Sequence, residues 1–375
     1  MMRSALNTLH GELPLPAFIP DATRAVVRSA DSVDLAEARV PGLMVNTFHL
    51  SASPGVSAVA SVGGIHSFMG WSGLVAADSG GFQVFSLLSE NPALGSVTDR
   101  GFVYRRAKGG ERQTLTPEKC IERQFRMGAD IMFCLDYCTH PGAPASIQSE
   151  SVRLTVEWAR RCQETFLRQA DQRRLGDSDR PLLFAVVQGG DDRELRRVCA
   201  DQLAEMGFDG YGYGGWPIAD DGRLVDGVGM VAELTPDDVP RHALGIGKPE
   251  NVVRAAAMGY DTFDAVIPTR DARHKRLYVA CDGFASLTWK AEDFYENLYI
   301  HDARFARDRR PVEQSCDCLC CRNYSRAYLR HLFDIGDSLA LRLATIHNLR
   351  FYTRLMSRIR EMLEEDRDGQ EGGRG

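Results

Sequence analysis

The sequence predicts an α/β protein of the (β/α)8, or TIM, barrel class, with a zinc-binding insertion near the C-terminus and a long final helix. Three observations predict it. Eight short apolar runs end in polar or Gly-rich tips, helical segments lie between them, and the rhythm stops after Arg270, where a cysteine cluster and a long periodic segment take over. Eight strands alternating with helices suggest a barrel, with a doubly wound open sheet as the structural rival. The 375 residues exceed the roughly 150 of an ordinary domain, but barrels of this class do so as one unit.

The candidate strands are Ala17–Thr23, Leu43–Leu50, Leu74–Gly81, Asp130–Cys138, Leu182–Gly190, Gly210–Trp216, His242–Gly247 and Thr262–Arg270. Several are rich in Val, Ile, Leu and Phe without alternation, as strands covered on both faces should be. Thr116–Met127 reads as a helix because Thr116 can cap it, Pro117 suits the first turn and Glu118 is an early carboxylate. Ser149–Asp171 and Asp191–Met206 keep apolar residues three and four apart, and Asp191 and Asp192 give the second an acidic start. Pro249–Met258 is a shorter helix. Arg276–Thr288 reads as a strand or hairpin, followed by helices over Arg322–Phe333 and about Asp337–Glu365. The expected layout is a barrel over 1–275, a zinc subdomain and final helix over 276–365 packed on it, and a disordered tail over 366–375.

Composition excludes several classes. With 44% hydrophobic and 26% charged residues the chain has a core to bury, so disorder is not its main state. No apolar run approaches the ~20 residues needed to span a bilayer, so no membrane partner is expected. Met1–Leu13 has no apolar stretch of signal-peptide type. A net charge of −6 requires any nucleic-acid contact to use a local basic patch. Six cysteines are scattered and four are crowded together, which fits a reducing cytoplasm and a metal site better than a disulfide framework.

In a barrel, chemistry collects where the βα loops meet. The tips carry Asp78-Ser79-Gly80-Gly81, Asp136-Tyr137-Cys138, Gln188-Gly189-Gly190, Gly214-Gly215-Trp216 and Phe263-Asp264. Carboxylates, a carboxamide and Gly pairs suit the edge of a flat nucleobase, and two carboxylates suit a nucleophile plus an acid/base at an acetal carbon. A single Asp at a strand end is as readily a helix cap, and a Gly pair a simple turn. Arg270, Arg273, His274, Lys275 and Arg276 form a basic strip, extended by Arg304, Arg307, Arg309 and Arg310, for which a solvated face is the plainer reading.

Cys316, Cys318 and Cys321 give C-x-C-x-x-C, with His347 downstream. Three thiolates and one imidazole make a closed tetrahedral structural site for one Zn2+. Cys320 should point away, since its neighbours ligate.

These residues resemble the tRNA-guanine transglycosylases, the queuine or preQ1 tRNA-ribosyltransferases. The resemblance rests on Asp78-Ser-Gly-Gly-Phe-Gln-Val-Phe-Ser-Leu87, Val187-Gln-Gly-Gly190, Phe263-Asp264 with Pro268-Thr-Arg270, the cysteine motif, Arg322-Asn-Tyr-Ser-Arg-Ala-Tyr328 and Ile346-His-Asn-Leu-Arg350, and runs from about His10 to Arg360. It implies a zinc-bearing barrel that exchanges guanine at the anticodon wobble position of G-U-N tRNAs for a 7-deazaguanine base, commonly as a homodimer. Carried over, Asp264 is the nucleophile that forms a covalent aspartyl-RNA intermediate, and Asp78 the general acid/base. Asn46, Asp136, Gln188 and Gly215 correspond to base-binding positions, and Arg270 and Arg273 to RNA-contacting ones. A wobble guanine must leave its stack to reach a barrel mouth, as in base flipping.

The chain departs from the family pattern at Tyr137, usually Glu, at Trp216-Pro217-Ile218-Ala219-Asp220, usually Leu-Ala-Val-Gly-Glu, at Leu244, usually Met, and in the Ile19–Thr23 strand. Alternatives are a paralogue that inserts a 7-deazaguanine derivative into DNA, and a non-catalytic partner subunit; intact Asp78, Asp264 and zinc ligands argue against the latter. By the family correspondence Trp216 and Ile218 shorten the space beyond Gly215, with Cys138 across from them, so preQ1 is expected over the bulkier queuine.

Overall fold

Each of the eight apolar runs contains a strand. We label them β1 (Ala17–Phe18), β2 (Gly42–Asn46), β3 (Leu74–Asp78), β4 (Ile131–Phe133), β5 (Leu182–Val187), β6 (Gly210–Tyr213), β7 (Arg241–Ala243) and β8 (Thr262–Phe263). In this computed structural model, which describes residues 3–372, they form one sheet in the order β1-β8-β7-β6-β5-β4-β3-β2. That sequential order, with parallel pairing from β3 to β7 and between β8 and β1, is a barrel unrolled, and it excludes the doubly wound rival. Beyond β1, the Ala22 N–H donates to the Met44 carbonyl of β2 at 2.7 Å.

Strand β4 ends earlier than predicted because side chains take over backbone donors that follow it. Past β4 the Leu135 N–H donates to Cys162 Sγ at 3.4 Å and the Tyr137 N–H to Thr155 Oγ1 at 3.1 Å. Both acceptors lie on the next helix, so the chain leaves the ladder without orphaned donors.

The helices used below are α1 (Pro117–Met127), α2 (Ala145–Gln172), α3 (Arg193–Met206), α4 (Pro249–Ala257), α5 (Ile267–Arg273), α6 (Leu319–Asn323), α7 (Arg326–Asp334) and α8 (Ser338–Gly372). Thr116 caps α1, and Asp192 caps α3 by accepting from Glu194 N and Leu195 N. The sequence reading missed the short helices between Thr47 and Met69, the helix Gly81–Glu90 and a three-stranded antiparallel sheet over Gly95–Leu115.

The chain divides into two compact units. The first comprises Met1–Leu13, Ala22–Ala25 and Leu43–Leu244; the second comprises Pro14–Asp21, Val26–Gly42 and Gly245–Gly375. In the first, Asp130 is buried just before β4. Its carboxylate accepts the Val75 N–H at 2.7 Å and meets His10 Nδ1 at 2.6 Å and His66 Nε2 at 3.2 Å, pinning the start of β3. In the second, a hairpin of β9 (Arg276–Ala280) and β10 (Tyr295–Tyr299) realises the predicted insertion. Helix α8 buries Leu343, Phe351, Tyr352, Leu355 and Ile359. Its Arg342 pairs with buried Asp34 at 2.7 Å, and Arg360 donates to the Pro16 carbonyl at 2.8 Å. The helix runs on to Gly372, over residues expected to be disordered. Trp289 Nε1–H holds Asp366 at 2.8 Å and Arg358 holds Glu365 at 2.7 Å, which extends the ordered turns. Residues 373–375 of that expected tail lie outside the described residues.

Candidate active site and metal centre

The first unit gathers Asn46, Asp78, Asp136, Gln188 and Gly215 at the C-terminal ends of β2 to β6. Asn46 both caps the following helix, accepting from His49 N, and donates through Nδ2 to Asp78 Oδ2 at 2.7 Å. The other oxygen of Asp78 accepts the Gly80 N–H at 3.0 Å, and its backbone carbonyl accepts from Thr47 Oγ1 at 2.7 Å. The carboxylate is therefore fixed by Asn46 and Gly80 and its backbone by Thr47, rather than left to rotate.

Gln188 Nε2 donates to Asp136 Oδ2 at 2.7 Å. Burial pushes the Asp136 carboxyl up to about 7, against the lowering effect of the Gln188 bond and with the help of the Asp78 charge. A carboxyl balanced at neutrality is a group whose charge a ligand can set.

Two glycines at these tips have different reasons. A Cβ on Gly189, at φ +143°, would stand 2.6 Å from Arg196 N, so this glycine serves protein packing rather than ligand approach. Gly215, at φ +116°, has its nearest neighbour, an Arg196 terminal nitrogen, 3.6 Å from a built Cβ, and among the described residues its N–H donates no hydrogen bond. It is the glycine with room for a ligand.

The departures fall into two kinds. The Tyr137 ring packs edge-on to Phe102 and tilted on Trp158. Trp216 stands 40% exposed at the mouth; its indole N–H donates to the Thr139 carbonyl at 3.2 Å and its ring meets Phe82 at 5.8 Å. It thus crosses from the β6 tip to the β3 and β4 tips. Ile218 pairs with Leu224 in an isolated antiparallel bridge.

The second unit carries Asp264, Arg270 and Arg273. The Gly245 N–H donates to Asp264 Oδ1 at 3.0 Å, so the carboxylate is oriented by backbone. Arg276 of the predicted basic strip is held by Asp271, which also accepts from Tyr278 Oη. Arg273 is different. One of its terminal nitrogens is buried without a hydrogen-bond partner, and burial together with neighbouring Arg28 and Arg270 lowers its pKa. Three guanidinium groups crowded with a donor to spare make a site for an anion such as a phosphate. Arg28 carries no sequence signal of this placement; only folding brings it to Arg273. Arg304 and Arg310 of the second basic group pair with Asp302 and Asp308 instead, as a solvated face would.

The metal centre is built within the second unit. The ligand atoms of Cys316, Cys318, Cys321 and His347 lie within 4.8 Å of one another, all buried. His347 Nδ1 faces Cys321 Sγ at 3.3 Å and Cys318 Sγ at 3.7 Å, while Nε2 meets the Tyr278 carbonyl at 2.7 Å. With Nε2–H donating to that carbonyl, the Nδ1 lone pair is turned to the thiols. Asp317 between the cysteines is gripped by Arg350 at 2.6 Å, and Asn348 bonds Pro268, Arg276 and Tyr278 backbone groups. The Ile346–Arg350 segment thus ties the cysteine loop, the hairpin and α5 together. Cys320 is buried outside the donor group, as expected.

With the geometry in place, comparison with known proteins decides the family. The family model described as Queuine tRNA-ribosyltransferase matches residues 2–370. The chain belongs to the queuine tRNA-ribosyltransferase family. A queuine tRNA-ribosyltransferase of Thermoanaerobacter pseudethanolicus is 39% identical over 363 residues, covering 96% of this chain and 90% of the relative. Its counterpart in Solidesulfovibrio magneticus is 38% identical with the same coverage, and that of a Psychrobacter species 37% identical over 97% of the chain. Among the described residues no helix is long and apolar enough to cross a membrane.

Proposed function

We propose that the chain is a tRNA-guanine transglycosylase that replaces the wobble guanine of G-U-N tRNAs with preQ1 or a close relative. The observation that carries this reading is family membership across residues 2–370, with carboxylates and a carboxamide kept at the strand tips.

Asp264 attacks C1′ of the target ribose, and the bond from C1′ to the guanine N9 breaks with its electrons going to the base. The resulting acylal link between aspartate and ribose is then opened by N9 of the incoming base. Asp78, fixed by Asn46 and Gly80, takes the N9 proton of that base. Two displacements at C1′ give net retention. Asp136 and Gln188 read the N1–H and 2-amino edge of the base, and the Gly215 N–H its carbonyl. Arg28, Arg270 and Arg273 take RNA phosphates, and the chain's net charge of −6 confines RNA attraction to that cluster.

The Cys316, Cys318, Cys321 and His347 set fits one structural zinc ion, since three sulfurs and one oriented imidazole leave no open position. That ion would supply cross-linking of the cysteine loop to α8 and no chemistry at the ribose.

The preference for preQ1 rests on Trp216. Its indole, tethered to Thr139 and set against Phe82, occupies space that a cyclopentenediol would need. Overlap of that kind costs roughly 1–3 kcal/mol per methylene. Incubation with bulk tRNA and labelled guanine, preQ1 or queuine tests both parts. Incorporation of no base from this set refutes the activity, and a higher kcat/KM for queuine than for preQ1 refutes the preference.

A further inference from the structure

Arg196 is the largest charged side chain buried without a countercharge. It is fully buried, and no carboxylate pairs with it among the described residues. Instead its guanidinium donates to three backbone carbonyls: Nε to Gly190 at 2.8 Å, and the two terminal nitrogens to Val187 at 3.0 Å and Gly214 at 3.1 Å. Its plane also lies over the Tyr213 ring, 4.4 Å from the centroid. An uncompensated buried cation opposes folding unless something requires it.

Those three carbonyls share a feature. Each belongs to a peptide unit at the tip of β5 or β6, and the amide partners of two of them are the N–H groups of Gln188 and Gly215. The Val187 carbonyl also accepts the Gly214 N–H at 3.0 Å, so the two tips are joined through a group that Arg196 holds. When a cation pulls on a carbonyl oxygen, the N–H of the same peptide unit becomes a stronger donor. Among the described residues the Gly215 N–H donates no hydrogen bond, and it sits at a glycine with open space.

We infer that Arg196 is a positioning residue for base recognition: it fixes and polarises the Gly214–Gly215 peptide so that its N–H meets the carbonyl of a purine or 7-deazapurine base. This rests on the reading of Gly215 as a base contact. Arg196 need not touch the base. A small residue at 215 lets the base approach, and Arg196 makes the amide there stiff and acidic enough to discriminate.

The test compares the binding of guanine with that of 2-aminopurine, which lacks the carbonyl and the N1–H that Asp136 accepts, in the full-length wild type and in Arg196→Lys and Arg196→Met. The N1–H loss is common to all three proteins, so the change in preference between them reads the carbonyl contact. Lysine keeps the charge but cannot span three carbonyls; methionine keeps much of the volume and no donor. The wild type should prefer guanine. The preference should shrink on the order of tenfold in Arg196→Met and by less in Arg196→Lys, while 2-aminopurine affinity and the KM for tRNA change little. Equal preference in wild type and both variants overturns the inference. A wild type with no preference fails the Gly215 reading itself, and the inference with it. If Arg196→Met does not fold, the Lys variant decides alone: an unchanged preference overturns the role, and a reduced one supports it.

Discussion

The charge state of Asp136 gives a pH dependence that can be worked out in advance. Its carboxyl is pushed up to about 7, chiefly by burial and further by the Asp78 charge. Guanine and preQ1 present two donors, N1–H and the 2-amino group, and only an ionised carboxylate accepts both. Binding therefore selects the deprotonated form. With one proton to remove, affinity falls by a factor of 1 + 10^(pKa − pH), which is about tenfold between pH 8 and pH 6 for a pKa of about 7. The bases do not titrate at these ring positions in that window. Calorimetry at about pH 6.5 in two buffers of different ionisation enthalpy should show release of roughly 0.8 proton per base bound. The stability linkage has the opposite sign. A carboxyl whose folded pKa is raised above its unfolded value stabilises the fold most below the ordinary carboxylate range, and that contribution is lost as pH rises through about 7. Affinity should thus climb over the same interval in which this contribution to ligand-free stability declines. Asp136→Asn should bind more weakly than wild type at pH 8 and lose the pH dependence. A wild-type Kd that is flat between pH 6 and pH 8, or an Asn variant that keeps the slope, would refute the reasoning.

Other outcomes follow from the same geometry. Cys318→Ser should lose the bound metal and loosen the cysteine loop, read by elemental analysis and by hydrogen exchange over Ser315–Asn323, whereas Cys320→Ser should keep the metal. Protein purified without chelator that contains no zinc would contradict the assignment. Ile218→Gly and Trp216→Leu should each raise the kcat/KM for queuine relative to preQ1, and no change in that ratio would remove the steric argument. Leu355→Ala in α8, fully buried, should cost about 2–5 kcal/mol in denaturant unfolding; a cost under 1 kcal/mol would mean that the helix contributes little to its unit.

The barrel could be read from the chain because parallel strands buried on both faces are written as unbroken apolar runs, and β2, β3 and β5 are of that kind. The cysteine set could be read because ligand spacing is local chemistry. What escaped was encoded across distance. The helices Val56–Ser61 and Ile65–Met69 begin at glycines without a side-chain cap, so the usual start signal is missing. Arg196 lies between Arg193 and Arg197, which form exposed pairs with Glu233, Glu194 and Asp201, and nothing in the sequence marks which arginine turns inward. Arg28 joins Arg270 and Arg273 only through folding. The final helix was placed correctly but ended too soon, because the anchoring of Asp366 by Trp289 cannot be seen in a charged, Gly-rich stretch.

Trapping the aspartyl-RNA link tests the central claim most directly. Wild-type protein and Asp264→Ala would each be incubated with substrate tRNA and a poorly reactive incoming base, then run on a denaturing gel, with peptide mapping of any cross-linked band. The account predicts a protein–tRNA adduct in the wild type that maps to Asp264, and neither adduct nor base exchange in the Ala variant. An adduct that maps to another residue, or an Ala variant that exchanges base within tenfold of the wild-type rate, would contradict it.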